Sequence, residues 1–266
     1  KNKIHMNKIN NTLNNSLWVK VMSSLMVFVF AVANVFAVPG ITATNLQTTA
    51  GVTATANGNS LTVTTPDKAV LTWQAFGSGA DTIGVNDALN YVLPSKNASV
   101  LNIVAGGAST AIDGSITSNG NVFVLNPNGL LVGNGARIET NKLVLSTSDN
   151  PAFASFLFQQ EGRLPSQAGL ATVPAGTTAI NNGAIVSVGE NITILSKNVA
   201  IAGAVIQGGL NISADGNVSV GSAGLAYVNG DLVINNANGA TTLGSAGNNT
   251  IISGNATVTG TANSTF

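Results

Sequence analysis

Carboxylates are the side chains of this sequence best suited to catalysis, but their spacing builds no catalytic motif. The ten acids are scattered, and no two of them lie within three positions of each other. Asp215 and Asp231 could meet if they lay on successive turns of a repeating fold. Such a pair, with Arg137 or Arg163 nearby, would suit metal binding or acid–base cleavage of a polysaccharide. We interpret the acids as solvated turn residues and predict no catalytic residue, no metal site and no cofactor.

Nucleophilic catalysis and phosphate binding find little support. The sequence has no cysteine, and its single histidine, His5, lies in a segment that we expect to be removed. Ser–His and Cys–His catalysis are therefore excluded for the mature chain. Gly77-Ser78-Gly79 and Gly133-Asn134-Gly135 lack the strand–loop–helix context of a phosphate loop, so we predict turns. Trp73 and Phe76 could bind a sugar, but their place in an apolar strand favours the core.

The turn Asn126-Pro127-Asn128-Gly129 is the motif around which its neighbours are organised. Pro127 presets φ for a tight turn, and Gly129 can take a positive φ without steric cost. Around it, apolar residues recur at every second position, a spacing typical of strands with one buried face. These residues are Val122, Val124, Leu130, Val132, Ile138, Leu143 and Leu145. Short strands joined by sharp turns, without helices between them, predict a rung of a β-solenoid.

The same stretch carries a family resemblance. VFVLNPNGLLVGNGARI resembles the NPNGI-type core of the N-terminal secretion domain of filamentous haemagglutinin-like proteins, the exported partners of two-partner secretion. Three flanking segments resemble further family motifs in the same order: residues 70–76 resemble Trp-x-x-Phe, residues 99–104 resemble Leu-Asn-Arg-Val and residues 112–116 resemble Ile-x-Gly-x-Leu. The resemblance covers roughly residues 40 to 205. It departs at Ile103, where the family has arginine.

The resemblance implies both a fold and a function. It implies an all-β, right-handed parallel β-helix (a single-stranded solenoid) at the N-terminus of a large exported adhesin or haemagglutinin. Its partner would be an outer-membrane β-barrel transporter with periplasmic receptor domains. The protein would be secreted or held at the surface of a Gram-negative-type bacterium, where a host or neighbouring cell could be a second partner. Asn126, Pro127, Asn128 and Gly129 would serve transporter recognition or nucleation, with a plain structural turn as the alternative.

Composition agrees with stacked strands and limits the partners. Only 8% of residues are charged, against about 25% in an average soluble domain. The hydrophobic share of 44% is enough for a large core. From Val38 onward six basic residues face ten acids, a formal balance of −4 that offers no basic footprint for nucleic acid. We expect a monomer.

Three segments organise the chain. Residues 1–37 are predicted to be a signal peptide, with basic residues first, an apolar stretch from Val21 to Ala33 and small residues for cleavage before Val38. Residues 38–205 form the predicted secretion-type domain. Residues 206–266 continue its repeats, and we expect that the natural protein either continues beyond Phe266 or has been truncated there.

Several local features refine this picture. Asn57-Gly58-Asn59 between alternating strands predicts a hairpin in an N-terminal β cap. Residues 87–92 could be a helical turn or a strand. Phe153, Phe156, Leu157 and Gln160 have helical spacing after Asn150-Pro151, which predicts a short external helix over about 151–160. This helix would cover an apolar patch or contact the transporter.

An internal repeat predicts the later rungs. The pattern at 182–186 recurs at 202–206, a shift of 20, and that at 221–224 recurs at 244–247, a shift of 23. Leu101, Ile103, Ile112 and Ile116 are predicted core positions of the earlier rungs. The predicted later core is Ile185, Ile192, Ile194, Val199, Ile201, Leu210, Ile212, Val218, Val220, Leu232, Ile234, Leu243, Ile251 and Val258.

Two other functions stay open on sequence grounds. Solenoids also carry polysaccharide-cleaving enzymes, which would need the carboxylates and Arg137 or Arg163 to meet in one groove. A structural surface protein that leaves the cell by another route is the second alternative.

Overall fold

The chain coils into a parallel β-helix. In this computed structural model the described residues are 46–47, 50–77, 81–149, 158, 176–181, 183–260 and 264–265. Each turn of the coil, called a rung here, has up to three short strands, and each strand pairs in parallel with its counterpart in the next rung. The counterparts form three sheet faces, named face 1, face 2 and face 3 in the order in which the chain meets them.

Face 1 begins each rung. Its strands are β4 (Ala69–Trp73), β7 (Ser99–Val104), β10 (Asn121–Leu125), β13 (Lys142–Ser146), the second part of β15 (Ile185–Ser196), the second part of β17 (Val205–Ala214), β20 (Leu232–Asn236) and β23 (Ala256–Gly260). Rung 1 begins with β4 and rung 2 with β7, and the count continues in this order.

Faces 2 and 3 complete the rungs. Face 2 consists of β5 (Thr82–Ile83), β8 (Thr110–Ile112), β11 (Leu130–Val132), β14 (Thr177–Ile180), β16 (Asn198–Ile201), β18 (Val218–Val220), β21 (Thr241–Leu243) and β24 (Ser264–Thr265). Face 3 consists of β6 (Ala88–Val92), β9 (Ser115–Ser118), β12 (Arg137–Thr140), the first parts of β15 and β17, β19 (Ala226–Asn229) and β22 (Thr250–Ile252). The first part of β15 belongs to rung 4 and its second part to rung 5, so this strand turns the corner between faces 3 and 1.

The first rung is capped by antiparallel strands, as the sequence predicts. β2 (Thr53–Asn57) and β3 (Ser60–Thr64) form a hairpin, and Gly58 in its loop has φ +56°. β3 then pairs in parallel with β6, while β1 (Leu46–Gln47) lies antiparallel to β4. Residues 88–92, which the sequence left undecided, are a strand.

Alternate side chains from all three faces fill the inside of the coil. On face 1 one inner column holds Leu71, Asn102, Val124, Leu145, Ile194, Ile212 and Ile234, each aligned with the next. All seven are buried. Burial of each large apolar member stabilises the fold by roughly 1.5–3 kcal/mol.

The repeat predicted from sequence is confirmed. Ile185 aligns with Val205 and Val186 with Ile206, which is the shift of 20, and Val220 aligns with Leu243, which is the shift of 23. The rungs continue through position 205, because β17 crosses it. Whether 205 divides a secretion domain from later repeats stays a prediction.

Four residues that the sequence predicts to face the core lie on the outer side of their strands. Ile185 and Ile251 lie on the outer side of face 3, since Val186 and Ile252 of the same strands face the core. Ile251 is 45% exposed. Leu101 and Ile103 lie on the outer side of face 1, because Val100, Asn102 and Val104 point inward. Each error is a shift of one residue, which exchanges the two sides of a strand.

The remaining core predictions are confirmed, with Leu243 and Val258 half-buried at the core margin. Trp73 and Phe76 are fully buried and meet edge to face, with their ring centroids 5.1 Å apart, so they form core rather than a sugar platform.

Two predictions concern segments that the structure describes little or not at all. The signal peptide, residues 1–37, lies outside the described residues. The predicted helix over 151–160 also lies outside them except for Phe158, which is helical and buried. Within the described part of the chain, no helix has the length and hydropathy that crossing a membrane requires.

Candidate functional site

The motif at 126–129 forms the corner between β10 and β11. The Gly129 N–H donates to the Asn126 carbonyl at 3.1 Å, which closes a β-turn over the four residues. Gly129 has φ +121°, a conformation that favours glycine. The predicted tight turn is therefore present, and glycine is needed at its last position.

The Asn126 side chain is fully buried and ties this turn to the rung before it. Its Nδ2 donates to the Ala108 carbonyl at 2.9 Å and to Thr110 Oγ1 at 2.8 Å. Its Oδ1 accepts from the Asn128 N–H at 2.9 Å. Since a buried amide that lost these partners would be costly, Asn126 is a structural residue of the corner.

The rung that follows packs closely on the other side of the turn. A side chain at Gly176 would place its Cβ 2.7 Å from the Pro127 carbonyl oxygen and 2.9 Å from the Gly129 nitrogen. A Cβ at Gly129 would lie 3.1 Å from the carbonyl oxygen of Thr177. The turn is thus held between rungs 2 and 4, and its contacts with rung 4 are to backbone atoms.

Pro127 and Asn128 form the outward edge of the turn. Pro127 is half-buried and Asn128 is exposed. The Asn128 Nδ2 donates to the Gly106 carbonyl at 2.8 Å, and this bond lies at the surface. The four predicted site residues therefore divide into a buried pair, Asn126 and Gly129, and an accessible pair.

A second asparagine occupies the same corner four rungs later. Asn236, the last residue of β20, lies in the same column of aligned positions as Asn126, and it is also buried. Its Nδ2 donates to the Gly239 carbonyl at 2.8 Å and to Thr241 Oγ1 at 3.1 Å. No proline follows it, because the next residues are Ala237 and Asn238. The buried amide is thus common to two corners, and the accessible Pro–Asn edge is specific to rung 3.

Comparison with known proteins now places the chain. A family model described as the TPS secretion domain, where TPS is two-partner secretion, matches residues 39–265. The chain belongs to the TPS secretion domain family. The family's domains are recognised by a partner transporter, and the proteins that carry them are secreted across the outer membrane of Gram-negative bacteria.

Individual relatives of this TPS domain match over shorter stretches. Heme/hemopexin-binding protein of Haemophilus influenzae is 35% identical over 83 residues, which is 31% of this chain and 8% of the relative. The protein of that name from strain ATCC 51907 / DSM 11121 / KW20 / Rd is 34% identical over 94 residues, 35% of this chain and 10% of the relative. The matched stretch thus spans a tenth or less of these relatives.

A solved structure is also similar to this TPS domain. The HMW1 secretion domain from Haemophilus influenzae has 18% sequence identity and a TM-score of 0.43, over 76% of this chain and 70% of that one.

The carboxylates of the TPS domain build no catalytic cluster among the described residues. Asp215 follows face 1 of rung 6, whereas Asp231 precedes face 1 of rung 7, so they lie at opposite ends of that face. Arg137 pairs with Glu139 as a single ion pair on the outer side of face 3, and Arg163 lies outside the described residues. No group of three or more metal-ligating side chains occurs in the described part of the chain.

A buried polar network inside the TPS domain escaped the sequence reasoning. Asn102 Oδ1 accepts from Trp73 Nε1 at 2.9 Å and from the Tyr91 hydroxyl at 2.6 Å, and its Nδ2 donates to the Phe123 carbonyl at 3.1 Å. Burial raises the pKa of Tyr91 well above its usual value, although the bond to Asn102 acts in the opposite direction. Trp73 and Asn102 lie in two of the segments that resemble family motifs, and their presence there was the signal in the sequence that could have pointed to this network.

A second apolar cluster lies outside the coil. It consists of residues on the outer side of face 1 together with one residue from the segment after β13: Leu101, Phe123, Leu125, Val144, Leu195 and Phe158. The sequence predicts an outer apolar patch under this segment, but it places Phe153, Phe156 and Leu157 on it. Of residues 150–175 the structure describes Phe158, which lies in the cluster.

Proposed function

We propose that this TPS domain is the N-terminal secretion and folding-nucleation domain of a large exported surface protein, and that Asn126, Pro127, Asn128 and Gly129 are its central site. One observation carries the proposal. In a chain of the TPS family, the corner that ties rungs 2, 3 and 4 together also presents an accessible Pro127–Asn128 edge.

Nucleation follows from the contacts of the buried pair. Asn126 joins rung 3 to the 108–110 segment of rung 2, and Gly129 packs against Thr177 of rung 4. Repeat folds nucleate at one place and then propagate to neighbouring repeats. A corner that fixes three successive rungs supplies a template on which later rungs can stack.

Recognition would precede folding. An extended chain offers its backbone edge to a receptor domain, which can capture it as an added strand. Pro127 has no backbone N–H and therefore interrupts the hydrogen bonds of such an added strand. It thereby fixes the register in which the β10 segment and the residues after it are captured. The partner would be an outer-membrane β-barrel transporter with periplasmic receptor domains.

The remainder of the protein would be an adhesin or haemagglutinin at the cell surface or in the medium. In this proposal residues 38–205 form the secretion domain, residues 206–266 begin the repeats of the exported part, and the folded chain is a monomer. Heme/hemopexin binding is not carried over, because the matched stretch is 10% or less of the relatives that have this name.

A secretion assay tests the proposal. The chain is produced with and without a candidate partner transporter, in the native form and as Asn128→Ala, Pro127→Ala and Asn126→Ala. Asn236→Ala is the matched control, because it removes a buried amide from the same column without touching the Pro–Asn edge. We expect transporter-dependent release, at least about tenfold reduced in Asn128→Ala and Pro127→Ala, a loss that corresponds to about 1.4 kcal/mol of binding.

The outcomes separate recognition from structure. If only Asn126→Ala and Asn236→Ala reduce release, and do so in proportion to lost stability, the turn is purely structural. Release that does not depend on any transporter would refute the secretion role and favour a surface protein that uses another route.

A further inference from the structure

The outer side of face 3 carries two columns of side chains that run side by side along the coil. From rung 3 to rung 7, the first, called the polar column, consists of Glu139, Ser187, Gln207, Asn229 and Ser253. The second, called the apolar column, begins with Arg137 and continues with Ile185, Val205, Tyr227 and Ile251. Because rungs lie about 4.8 Å apart, both columns extend for roughly 19 Å.

The polar column borders an open groove in this surface. The groove has a volume of about 820 Å³, and its lining includes Glu139, Ser187 and Gln207 together with Arg137 and Asn141. The Ser187 hydroxyl donates to Gln207 Oε1 at 3.3 Å. A glutamine amide has two N–H donors, and this bond uses neither of them. Since the Gln207 side chain is exposed, the groove offers both donors and acceptors to a ligand.

The charges of this surface cancel. Arg137 and Glu139 are the charged side chains on the outer side of the described face 3 strands, and they form an ion pair. Their side chains are 57% and 43% exposed, so both remain accessible to a ligand. A surface without net charge does not attract polyanions such as nucleic acid or sulfated glycans. It suits a neutral ligand that is rich in hydroxyl groups.

The apolar column is exposed, and it is too narrow for a protein interface. Val205 is 37% and Ile251 45% exposed, while Ile185 and Tyr227 are half-buried. Exposed apolar side chains bordered by polar ones mark binding surfaces. A stable protein interface takes about 20–30 residues from each partner, whereas this column is one side chain wide. A pyranose ring fits it better, because its C–H face packs on apolar or aromatic groups while its hydroxyls form hydrogen bonds at the edge.

We propose that the outer side of face 3 binds a neutral, extended oligosaccharide of β-linked pyranose units, which lies along the coil over rungs 3 to 7. The ring faces pack on Ile185, Val205 and Tyr227, and the hydroxyls bond to the polar column. Straight columns select a straight ligand, and β-linked glucose chains are extended ribbons whereas α-linked ones coil. The site belongs to the folded domain and does not depend on the secretion function.

An NMR titration of the isotope-labelled full chain tests the inference. The probes are cellohexaose, the α-linked maltohexaose and a heparin hexasaccharide. The variants are native, Gln207→Ala, Tyr227→Ala and Ser187→Ala. Ser219→Ala is the matched control for Ser187→Ala, because it removes a hydroxyl from a half-buried outer position of face 2. Circular dichroism verifies that each variant is folded.

We expect the native chain and Ser219→Ala to bind cellohexaose with a Kd of about 0.1–1 mM, since an open groove supplies few hydrogen bonds. Maltohexaose and heparin should bind at least about tenfold more weakly. Tyr227→Ala should weaken cellohexaose binding about tenfold, and Gln207→Ala and Ser187→Ala about threefold or more. Gln207→Ala alters an exposed side chain and carries the test if Tyr227→Ala does not fold.

Four results would overturn the inference. The first is a lack of saturable cellohexaose binding up to about 10 mM. The second is binding of maltohexaose or heparin as tight as that of cellohexaose. The third is a loss in Ser219→Ala equal to that in Ser187→Ala, which would place binding away from face 3. The fourth is self-association of the native chain that Tyr227→Ala abolishes, which would assign the apolar column to an interface between copies.

Discussion

At the scale of single residues, asparagine holds this fold together from the inside. Asn102 and Asn126 are both fully buried, and each satisfies groups from a neighbouring rung. Apolar side chains fill the coil, but a shift of two residues would leave apolar positions facing inward. A buried amide with fixed partners makes a wrong register costly, because it would leave donors and acceptors unpaired.

Substitution of Asn102 should therefore be more damaging than its volume suggests. Asn102→Ala leaves the Trp73 indole N–H, the Tyr91 hydroxyl and the Phe123 carbonyl without this partner. We expect the free energy of unfolding to fall by about 3 kcal/mol or more. Asn90→Ala, which removes a half-buried outer amide bonded to Ser60 and Thr117, should cost about 1 kcal/mol or less. Urea unfolding of both variants measures the difference, and equal losses would contradict it.

Glu190 makes a small contribution to the stability of the TPS domain, and this contribution is lost in acid. Partial burial raises its pKa, but the hydrogen bond and charge of Lys142, with smaller effects of Asn141 and Lys96, outweigh this, so the pKa is lowered from 4.5. A lowered pKa in the folded state adds stability above pH 4.5, which is lost as the pH falls through the folded value. The Glu190 side chain is 49% exposed, so solvent screening limits the effect to about 0.5 kcal/mol.

The comparison of Glu190→Gln with the native chain tests this sign. The native chain should be the more stable near about pH 7, and the two should unfold at the same urea concentration near about pH 2.5. In a Lys142→Met background the difference at neutral pH should shrink. A difference that persists in acid would rule out the charge of Glu190 as its source.

At the scale of elements, the period-two pattern predicts strands well and their two sides less well. The inner residues predicted around 122–145 all lie in the core, although the apolar Phe123, Leu131 and Val144 stand between them on the outer side. Where two apolar residues are adjacent, as in Ile185-Val186 and Ile251-Ile252, local pattern cannot choose the inner one. The choice is made by stacking, since Val186, Ile206, Val228 and Ile252 form one aligned column. The outer cluster was foreseeable in part, but the identity of Phe158 depends on the path of the chain after β13.

The inner and outer positions of strands should differ sharply in their response to truncation. Ile201→Ala empties a fully buried position of β16 and should cost about 2–5 kcal/mol. Ile251→Ala removes the same atoms from a side chain that is 45% exposed and should cost about 0.5 kcal/mol or less. Thermal or urea unfolding gives both values. A large loss at Ile251 would indicate that its outer surface is covered in solution.

At the scale of the whole molecule, the close stacking of rungs at the corners restricts side chains as much as the core does. Gly114 begins the approach to β9, and a Cβ there would overlap the carbonyl oxygens of Gly84 and Asp87 in rung 1. Backbone carbonyls cannot rotate away as a flexible side chain does. Corner glycines therefore set the spacing between rungs. The sequence alone shows that glycine is frequent, but it does not show which glycines lie at these close contacts.

Gly114→Ala should accordingly separate rungs 1 and 2 and destabilise the domain by about 3 kcal/mol. Gly107→Ala is the matched control, since a Cβ at this exposed glycine meets nothing within 4 Å. Its stability should stay within about 0.5 kcal/mol of the native value. Circular dichroism and urea unfolding report both, and a stable Gly114→Ala variant would show that the corner can relax.

The antiparallel cap makes the growth of this coil one-sided. On faces 1 and 3, β1 and β2 run against their neighbours, so these two faces offer no parallel template for a rung before rung 1. In polymer terms, these two faces have one terminated end, at which no further parallel strand can add. On these two faces rungs can be added only from rung 1 toward higher numbers, which is the order in which a chain emerges when its N-terminus leads. Parallel head-to-tail joining of two folded copies through these faces is disfavoured at the same end.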